Sequence, residues 1–426
     1  MCLMFKRQML CRILLWLMWK RWLMVKSELV DIQKVREIVP GLFIIKSGFL
    51  VNLEVLNNVR HLIVNFKRKS MSKLYILAFI FIFISCDSKR IVSKDDAIFI
   101  DYDEEQVFDW NNTIQIKSAV SLEATDDCVL SYARKCLVSG KCIVYHDEKQ
   151  KAIFVFDEKG AFLYMIDAVG GGPDEYTEIK DIAISCDKEF ILVLDNKSVV
   201  YFDLKNGQFQ NRISLPQDKA SNFYRFANVD KQTFYFWSTE KENSLYLYEN
   251  GVMKVMEKRV GFPFVCQKFY YDSENSLNYI SDYGAFEIQV LEQDCLKNKY
   301  SFDFGSLNFP KSLIPKNVTE FEQVDDDVSF KCIMSAFETD DDLFIMTASP
   351  DGMLYNICLD KITHTVRSGK QDENAPLLVV DAVGGCFYGI IYPYHFSKSG
   401  ILAEIIDSCG GDEESNPILV KFIFKK

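Results

Sequence analysis

Short runs in which apolar and polar residues alternate recur through most of the chain. Four of them lie between Lys141 and Ser185, at Cys142–Tyr145, Ile153–Phe156, Phe162–Ile166 and Ile179–Ile184. Each run ends at a charged or glycine-containing turn, which is the pattern of four short antiparallel strands. One small sheet cannot bury both of its faces, so it needs neighbouring sheets of the same kind. This stretch therefore predicts one complete repeat unit of a larger all-β fold.

An apolar residue followed by an acidic residue and a turn marks the end of the third strand of each unit. The step occurs at Phe156-Asp157, Phe202-Asp203, Tyr248-Glu249, Leu291-Glu292 and Leu359-Asp360. The first two intervals are both 46 residues, which is close to the length of a four-stranded β-propeller blade. The last interval is 68 residues, and it indicates an inserted segment around Phe304–Ser329.

A sixth unit has to be assembled from the two ends of the chain. We predict C-terminal strands at Gly385–Tyr394, Gly400–Ile406 and Pro417–Phe424, completed from the N-terminal side by Ile114–Leu122 or Val129–Val138. Joining the first and last strands in one sheet closes the ring and removes exposed edges. The sequence thus predicts an all-β, six-bladed β-propeller of four-stranded antiparallel blades over residues 113–426.

A second apparent start lies at Met71. Basic residues flank an unbroken apolar run of 11 residues, Leu74–Ile84, and Ser85-Cys86 follow it. This order is typical of a secretory signal, and the run is too short to span a bilayer as a helix. We interpret residues 71–86 as a signal peptide; the alternative is that the apolar run is a core strand or a short membrane helix. We interpret residues 1–70 as a non-native upstream extension; the alternative is that they contain an interfacial amphipathic helix. Residues 87–112 are polar and acidic, and they predict a flexible tether.

Charge and cysteine content narrow the choice of partners. Residues 1–70 carry 13 Lys and Arg against 4 Asp and Glu, which leaves a net charge of −20 on the remainder. An acidic body offers no counter-charge to a phosphate backbone, so we predict no nucleic-acid partner. The chain has 13 cysteines and no CxxC motif. Their scattered positions in strand-like contexts favour buried thiols over a disulfide framework or a zinc site.

Three body motifs and one leader motif carry a resemblance to a known family. The body motifs are Ser121–Asp126 (SLEATD), Gly170–Tyr176 (GGGPDEY) and Asn416–Val420 (NPILV), and the leader motif is Phe83–Cys86. With them the chain resembles the six-bladed β-propeller lipoproteins of Bacteroidetes, which are themselves similar to NHL-type propellers. The leader motif resembles a bacterial lipobox, although Phe83 stands where the family prefers Leu. The resemblance implies lipidation of Cys86, a membrane anchor through that lipid, and a cell-envelope location facing the periplasm or on the outer-membrane surface.

The GGGPDEY segment contains the candidate ligand-binding residues, namely Gly170, Gly172, Pro173, Glu175 and Tyr176. Consecutive glycines permit close approach to the backbone, and the proline fixes the bend after them. A sugar site would use the tyrosine ring for stacking and the glutamate to accept hydroxyl hydrogen bonds. The alternative, which we favour, is a turn between two blades with the tyrosine in the core. The family has a glycine at Asp174, so the backbone there is expected to differ.

No catalytic or metal-binding constellation is evident in the sequence. His146, His364 and His395 are far apart and lack metal-ligand spacing. The clusters Asp325–Asp327 and Asp340–Asp342 offer oxygen ligands for Ca²⁺, but they lack the alternating spacing and the glycine of a calcium loop. We therefore interpret both clusters as solvated turns, predict no cofactor or metal, and assign no catalytic residue.

Two functions remain open at this point. The favoured one is a non-catalytic binding module for a glycan, a peptide or a partner protein. The alternative is an exported propeller enzyme, a glycan lyase or lactone hydrolase, with its site at the central funnel. The residues at the N-terminal ends of the innermost strands separate them: three or more converging carboxylate or histidine side chains would favour catalysis, whereas an apolar or mixed polar mouth would favour binding.

Overall fold

The computed structural model describes residues 97–426, apart from 293–294, 325–328, 373–375, 396–399 and 413. The predicted extension, the signal peptide and Cys86 therefore lie outside the described residues. Within the described residues the strands form six antiparallel sheets. Two strands, the short β1 (Ile98–Phe99) and the longer β2 (Ile114–Ser121), precede the first complete blade.

The first three blades follow one another directly along the chain, and each adds its strands in order from the axis outward. Blade 1 contains β3 (Ala133–Val138), β4 (Cys142–Asp147), β5 (Ala152–Asp157) and β6 (Phe162–Ile166). Blade 2 contains β7 (Asp181–Ile184), β8 (Phe190–Leu194), β9 (Ser198–Asp203) and β10 (Phe209–Ser214). Blade 3 contains β11 (Phe223–Asn228), β12 (Thr233–Ser238), β13 (Asn243–Glu249) and β14 (Val252–Lys258).

The remaining blades draw on both ends of the chain. Blade 4 contains β15 (Phe269–Tyr271), β16 (Leu277–Ile280), β17 (Glu287–Glu292) and β18 (Cys295–Asp303), with β1 added in parallel to β18. Blade 5 contains β19 (Ile333–Glu338), β20 (Asp342–Ala348), β21 (Leu354–Asp360) and β22 (Val366–Lys370). Blade 6 contains β23 (Leu378–Val383), β24 (Cys386–Ile391), β25 (Ile418–Phe424) and, outermost, β2.

The six-bladed propeller is confirmed, but the predicted boundary between the first two blades is wrong. The run Ile179–Ile184 was assigned to the same sheet as Cys142–Tyr145, whereas it forms β7, the innermost strand of blade 2. The true innermost strand of blade 1 is β3. Alternation identifies each strand, but it does not say which strands share hydrogen bonds, and a circular repeat has no intrinsic starting point.

Each central strand is buried because its two faces pack on different neighbours. In β4, Ile143 and Tyr145 join a cluster with Ile390 of blade 6, while Val144 joins one with Ile182 of blade 2. Successive side chains of a strand point to opposite faces, so one alternating run supplies the wall for two neighbouring blades. This arrangement explains why every residue of β4 is buried.

The recurring acidic residue at the end of the third strand has a local structural role. The carboxylates of Asp157, Asp203 and Asp360 each accept hydrogen bonds from two backbone N–H groups of the following turn, at 2.8–3.2 Å. An aspartate that binds the backbone in this way stabilises a tight turn. The 46-residue spacing between Asp157 and Asp203 therefore reflects the same turn at the same place in blades 1 and 2, and Asp360 repeats it in blade 5.

The ring is closed by the first and last strands, as predicted. β2 pairs antiparallel with β25, from Ile114 opposite Phe424 to Ser121 opposite Ile418. The first of the two N-terminal alternatives, Ile114–Leu122, therefore completes blade 6, whereas Val129–Val138 contributes β3 to blade 1.

The predicted tether is wrong for residues 97–112, which pack along the outside of three blades. β1 pairs with blade 4, and β2 completes blade 6. At the edge of blade 5 the Phe108 N–H donates to the Lys370 carbonyl, and the Lys370 N–H donates to the Gln106 carbonyl. Ile100, Phe108 and Trp110 are each at most 3% exposed. A few large apolar side chains in an otherwise acidic segment are enough to fix it, because each contributes about 1.5–3 kcal/mol on burial. We call residues 97–121 the N-terminal strap.

Helices occupy only short connections. They are α1 (Trp110–Thr113), α2 (Gln217–Ala220), α3 (Val318–Glu322) and α4 (Ile401–Ser408). The predicted insertion is confirmed, since α3 and two single 3₁₀ turns separate blades 4 and 5. The strand predicted at Gly400–Ile406 is wrong, because Leu402, Ile405 and Ile406 form the buried face of α4. Within the described residues no helix is long and apolar enough to span a membrane.

Candidate functional site

An axial channel runs between the innermost strands, each of which contacts the innermost strands of its two neighbours. A cavity of about 80 Å³ lies at the N-terminal ends of these strands, and one of about 1270 Å³ lies at their C-terminal ends. The two cavities share Lys135, Phe226, Gln267 and Phe269. We call the smaller one the basic mouth; its polar lining is Arg134, Lys135, Asp181, Arg225, Gln267 and Lys268. We call the larger one the wide cavity.

Local backbone irregularities bring charged side chains to this channel. The pairing of β3 with β4 shifts register just before Lys135, that of β11 with β12 just before Arg225, and that of β23 with β24 just before Asp381. A β-bulge locally turns the strand and redirects the side chain that follows it. Three of the six innermost strands thus present a charged side chain at the axis by the same device.

Lys135 and Asp181 form the central ion pair of the basic mouth. The Lys135 Nζ lies 2.8 Å from Asp181 Oδ1. The same carboxylate also accepts from the backbone N–H of Ile182 at 3.0 Å and, across the blade junction, from that of Phe226 at 3.1 Å. Asp181 is therefore fully committed to holding blades 1, 2 and 3 together, and it has little capacity left to act on a ligand.

Arg225 is held by backbone carbonyls. Its Nε donates to the Cys266 carbonyl at 3.0 Å, and its Nη1 donates to the carbonyls of Lys180 and Tyr224 at 3.1 and 2.7 Å. Burial lowers the pKa of this guanidinium; Asp181 opposes the shift and the positive charge of Arg134 adds to it. Among the described residues no carboxylate forms an ion pair with Arg225, and its Nη2 makes no hydrogen bond to them.

The other cations of the mouth differ in how well they are neutralised. Arg134 is 36% exposed and lies 3.6 Å from the exposed Glu148. Lys268 is fully buried and pairs with Asp282 at 2.9 Å, a carboxylate that also pairs with Arg259 at 2.8 Å. The lining therefore holds four cations and a single carboxylate, which reverses the sign of the acidic body around it.

This lining answers the question posed by the sequence. The N-terminal ends of the innermost strands present one carboxylate, Asp181, and no histidine among the residues that line the mouth. Three converging carboxylate or histidine side chains are not found in the described lining. The observed lining of the mouth is mixed polar.

The wide cavity has a different chemistry. Aromatic and aliphatic side chains such as Phe226, Tyr270 and Tyr271 alternate there with polar groups such as Asn228 and Asp230. Tyr271 is 40% exposed, and its hydroxyl donates to the Asn228 carbonyl. Such a surface offers ring faces and hydrogen-bonding groups together, which is the usual composition of a ligand site.

Asp381 sits in the wide cavity at the junction of blades 6 and 1. Its Oδ2 accepts from the Val138 N–H at 2.7 Å and its Oδ1 from the Ala382 N–H at 2.9 Å. Burial raises the pKa of this carboxyl to about 6, although these hydrogen bonds and Lys135 act in the opposite direction. Asp381 is therefore the described channel carboxyl whose charge changes just below neutral pH.

The GGGPDEY segment lies away from the residues of the channel, between β6 and β7. The Tyr176 ring is fully buried, and its hydroxyl donates to the carbonyls of Lys151 and Ile166 at 3.0 and 3.1 Å. A buried ring has no face open to a sugar, so the stacking role considered for Tyr176 does not fit its position. Its packing edge-to-face on Phe202 places it in the core between blades 1 and 2.

Glu175, Gly170, Gly172 and Pro173 make up the turn that precedes this tyrosine. The Glu175 carboxylate accepts from the Gly172 N–H at 2.7 Å. A Cβ at Gly170 would lie 1.9 Å from the same carboxylate, which explains the glycine there. The Glu175 carbonyl accepts from Arg212 of blade 2. Of the five residues proposed as ligand-binding only Pro173 is exposed; these contacts agree with an inter-blade turn.

The remaining candidates do not form one cluster, although His146 lies within electrostatic reach of Arg134, Lys135 and Asp181 of the basic mouth. His146 is buried, and burial lowers its pKa to about 4; His364 lies in a turn with a positive φ of 60°. Asp342 pairs with Lys426 at 2.9 Å, while Asp325–Asp327 lie outside the described residues. The ten described cysteines are free thiols, of which six are buried. Among the described residues no group of three His, Cys, Asp or Glu is placed to hold a metal ion.

The basic mouth was missed at the sequence level, although a signal for it exists. Lys135, Asp181 and Arg225 follow one another at intervals of 46 and 44 residues, which is the blade repeat. Charged residues at equivalent positions near the starts of successive innermost strands must meet at the axis. The spacing of the third strands reveals the blade length, but it does not show which charged side chains reach the axis.

Comparisons with known proteins agree with the fold. The family described as "Domain of unknown function (DUF4934)" matches residues 89–422. A "Putative exported protein" from Bacteroides fragilis is similar in structure with a TM-score of 0.63 and 16% identity, over 77% of this chain and 100% of that chain. A member of the DUF4221 family from Bacteroides vulgatus has a TM-score of 0.51 and 10% identity, over 75% and 100% of the two chains. No curated protein matches the sequence.

Proposed function

We propose that this chain, which belongs to the DUF4934 family, a domain of unknown function, is an exported binding module. It holds a glycan, a peptide or a segment of a partner protein at the axis of the ring. The observation that carries the proposal is the wide cavity of about 1270 Å³. Pockets for single small molecules are typically about 300–1,000 Å³, so this cavity suits a ligand of several units. The absence of converging carboxylates from the described mouth supports binding over the hydrolase or lyase alternative.

A channel-blocking substitution tests this role. Val229 lines the wide cavity and is 42% exposed, so Val229→Trp adds bulk at the rim without disturbing the core. Val252→Trp, on the outer edge of blade 3 where the valine is 67% exposed, is the matched control. The purified protein is screened against a glycan array and a peptide array. We expect saturable binding that Val229→Trp weakens by about tenfold and Val252→Trp leaves unchanged; no binding, or equal effects of the two substitutions, contradicts the proposal.

The proposed location is the cell envelope, with the propeller tethered to a membrane through lipid on Cys86. The order of basic residues, apolar run and Ser85-Cys86 supports it, as does the name of the structurally similar Bacteroides fragilis protein, which describes export. We expect a labelled fatty acid to be incorporated into the wild-type protein and not into Cys86→Ser, with the variant moving from the membrane to the soluble fraction. Equal labelling of both proteins would rule out Cys86 as the anchor.

The ligands proposed for the channel exclude nucleic acid. The region outside residues 1–70 has a net charge of −20, and a polyanion would be repelled over most of its length. The basic mouth is too small to offset this repulsion, because it admits single groups rather than a polymer backbone.

A further inference from the structure

Arg225 is a partly buried cation that lacks an anionic partner in the described structure. Its Nε and Nη1 are satisfied by neutral carbonyls at 2.7–3.1 Å, which orient the guanidinium but do not neutralise it. Leaving a desolvated charge uncompensated is costly. The nearest carboxylate of the mouth, Asp181, is already bonded to Lys135 at 2.8 Å and to two backbone N–H groups. Arg225 is therefore positioned for an anion that the protein itself does not supply.

Arg134 and Lys135 are two of the three other cations that line the same cavity; the third, Lys268, is fully buried and paired with Asp282. Arg134 is 36% exposed and its ion-pair partner Glu148 is 63% exposed, at 3.6 Å. Such an exposed ion pair contributes little to stability, so Arg134 can readily leave Glu148 for another anion. Lys135 contacts Asp181 through one ammonium hydrogen and has further donors, since an ammonium carries three. Arg134 and Lys135 can thus reorient toward an anion beside Arg225 while Asp181 stays in place.

From these contacts we infer that the basic mouth binds an oxyanion group, a carboxylate, sulfate or phosphate, either free or carried by a larger ligand whose remainder occupies the wide cavity. The inference rests on the proposed function and deepens it, because it defines the chemistry of the ligand at one end of the channel. Three of the five N–H groups of Arg225 donate to carbonyls, which leaves its Nη2 to donate to the oxyanion. Hydrogen bonds between a guanidinium and an oxyanion are strengthened by the two charges.

Cavity size limits what enters the mouth. Its volume of about 80 Å³ corresponds to about two to three water molecules, enough for one oxyanion group and too little for a sugar ring. Because Lys135, Phe226, Gln267 and Phe269 border both cavities, a ligand with its acidic group at Arg225 would extend into the wide cavity. The mouth therefore selects for charge, and the wide cavity accommodates the rest.

Calorimetric titration of the purified protein at low ionic strength tests this inference. The probes are sodium sulfate, sodium phosphate, glucuronate and, as the neutral match to glucuronate, glucose. Arg225→Gln removes the central cation and Arg134→Gln removes an exposed one. Lys258→Gln, on the exposed outer strand of blade 3, removes the same charge far from the axis. Circular dichroism and thermal unfolding of each variant show whether it folds.

Binding of the anionic probes is expected to weaken by about tenfold or more in Arg225→Gln, as for loss of a charge-assisted hydrogen bond. Arg134→Gln should weaken it about threefold, and Lys258→Gln should leave it unchanged. If Arg225→Gln does not fold, the comparison of Arg134→Gln with Lys258→Gln decides the matter. Stronger binding of glucuronate than of sulfate or phosphate would identify the oxyanion as part of a larger ligand, and the reverse would identify it as free.

Three results would overturn the inference: no saturable binding of any anionic probe, equal weakening in Lys258→Gln, or wild-type affinity in both mouth variants. The oxyanion site and the proposed function can be contradicted independently of each other. A neutral glycan or peptide that binds equally well to wild type and Arg225→Gln, and is lost in Val229→Trp, would retain the channel as a binding site while removing the oxyanion site.

Discussion

The outer strands are covered in one half of the ring and uncovered in the other. Blades 4, 5 and 6 are covered by the N-terminal strap, which adds β1, a backbone bridge at Val107 and β2 in turn. Among the described residues no further strand pairs with β6, β10 or β14, the outer strands of blades 1 to 3. These edges expose apolar residues singly, such as Leu163 at 51% and Val252 at 67%.

We expect the strapped half of the ring to contribute mainly to stability, and the half with open edges to supply most of the charged side chains proposed to bind a ligand. The half with open edges supplies Arg134, Lys135, Asp181 and Arg225 to the basic mouth, whereas the strapped half joins the two ends of the chain. Substitutions in the strap should therefore change stability, and substitutions in the mouth should change ligand binding.

The largest expected effect is at Trp110, the most deeply buried ring of the strap. It is 2% exposed and packs against Phe108, Phe344 and Phe422. Trp110→Ala should lower the free energy of unfolding by about 3–5 kcal/mol, measured by urea denaturation. Trp110→Phe should cost much less, because the indole N–H has no hydrogen-bond partner within the described structure. A loss below about 1 kcal/mol in Trp110→Ala would mean that the strap does not hold the ring.

Asp381 joins the strapped blade 6 to the open-edged blade 1, and it makes that junction pH-dependent. Burial raises its pKa to about 6, above the ordinary value, so the folded protein retains a proton that the unfolded chain has lost. Its contribution to stability is therefore full below about pH 4 and is lost as the pH rises through about 6.

The matching variant is Asp381→Asn. The decrease in unfolding free energy between pH 4 and pH 7 should be smaller in the variant than in the wild type by at most about 3 kcal/mol, since one pKa unit corresponds to about 1.4 kcal/mol. Urea denaturation at both pH values measures it. Parallel pH profiles of the two proteins would show that Asp381 titrates normally.

Gly369 tests the contact between the strap and blade 5. A Cβ at this position would lie 2.6 Å from the Phe108 nitrogen and 2.8 Å from the Val107 carbonyl carbon, so Gly369→Ala should push the strap away. We expect a loss of about 2 kcal/mol and faster hydrogen exchange in residues 97–113. Gly171→Ala, in a turn of the open-edged half with nothing within 4 Å of the new Cβ, is the control; equal exchange in both variants would contradict the expectation.

The smallest effect is expected at the uncovered edges. Leu163→Lys in β6 places a charge where the leucine is already 51% exposed, and the unfolding free energy should stay within about 0.5 kcal/mol of wild type. A larger loss would indicate that this edge is covered by something in the protein as it exists, and the comparison between the two halves would no longer hold.

Part of the fold followed from the sequence because its causes are local. Asp157, Asp203 and Asp360 cap the same turn in different blades, so the blade length is visible as spacing. By contrast, α4 was predicted as a strand at Gly400–Ile406. A short apolar run has the same composition in either state, and only packing against the strap, where Trp110 meets Leu402 and Ile405, selects the helix.

The candidate site was harder to predict because it depends on convergence. Arg225 and Lys135 are 90 residues apart and meet only when blades 1 and 3 face the same axis. The glycine-rich turn drew attention for the opposite reason, because its unusual residues are contiguous. In the structure its glycines serve close backbone packing around Glu175 and its tyrosine fills the core. The unusual composition of this turn therefore serves the packing of the fold.

The pairing of β2 with β25 has a consequence for the order of folding. It joins Ile114 to Phe424, so nearly the whole propeller must be synthesised before β2 finds its partner. Contacts between such distant segments form late and slowly, since the intervening chain must first lose its freedom. Until β25 is made, both β2 and β24 present an unpaired backbone edge, which other chains can pair with.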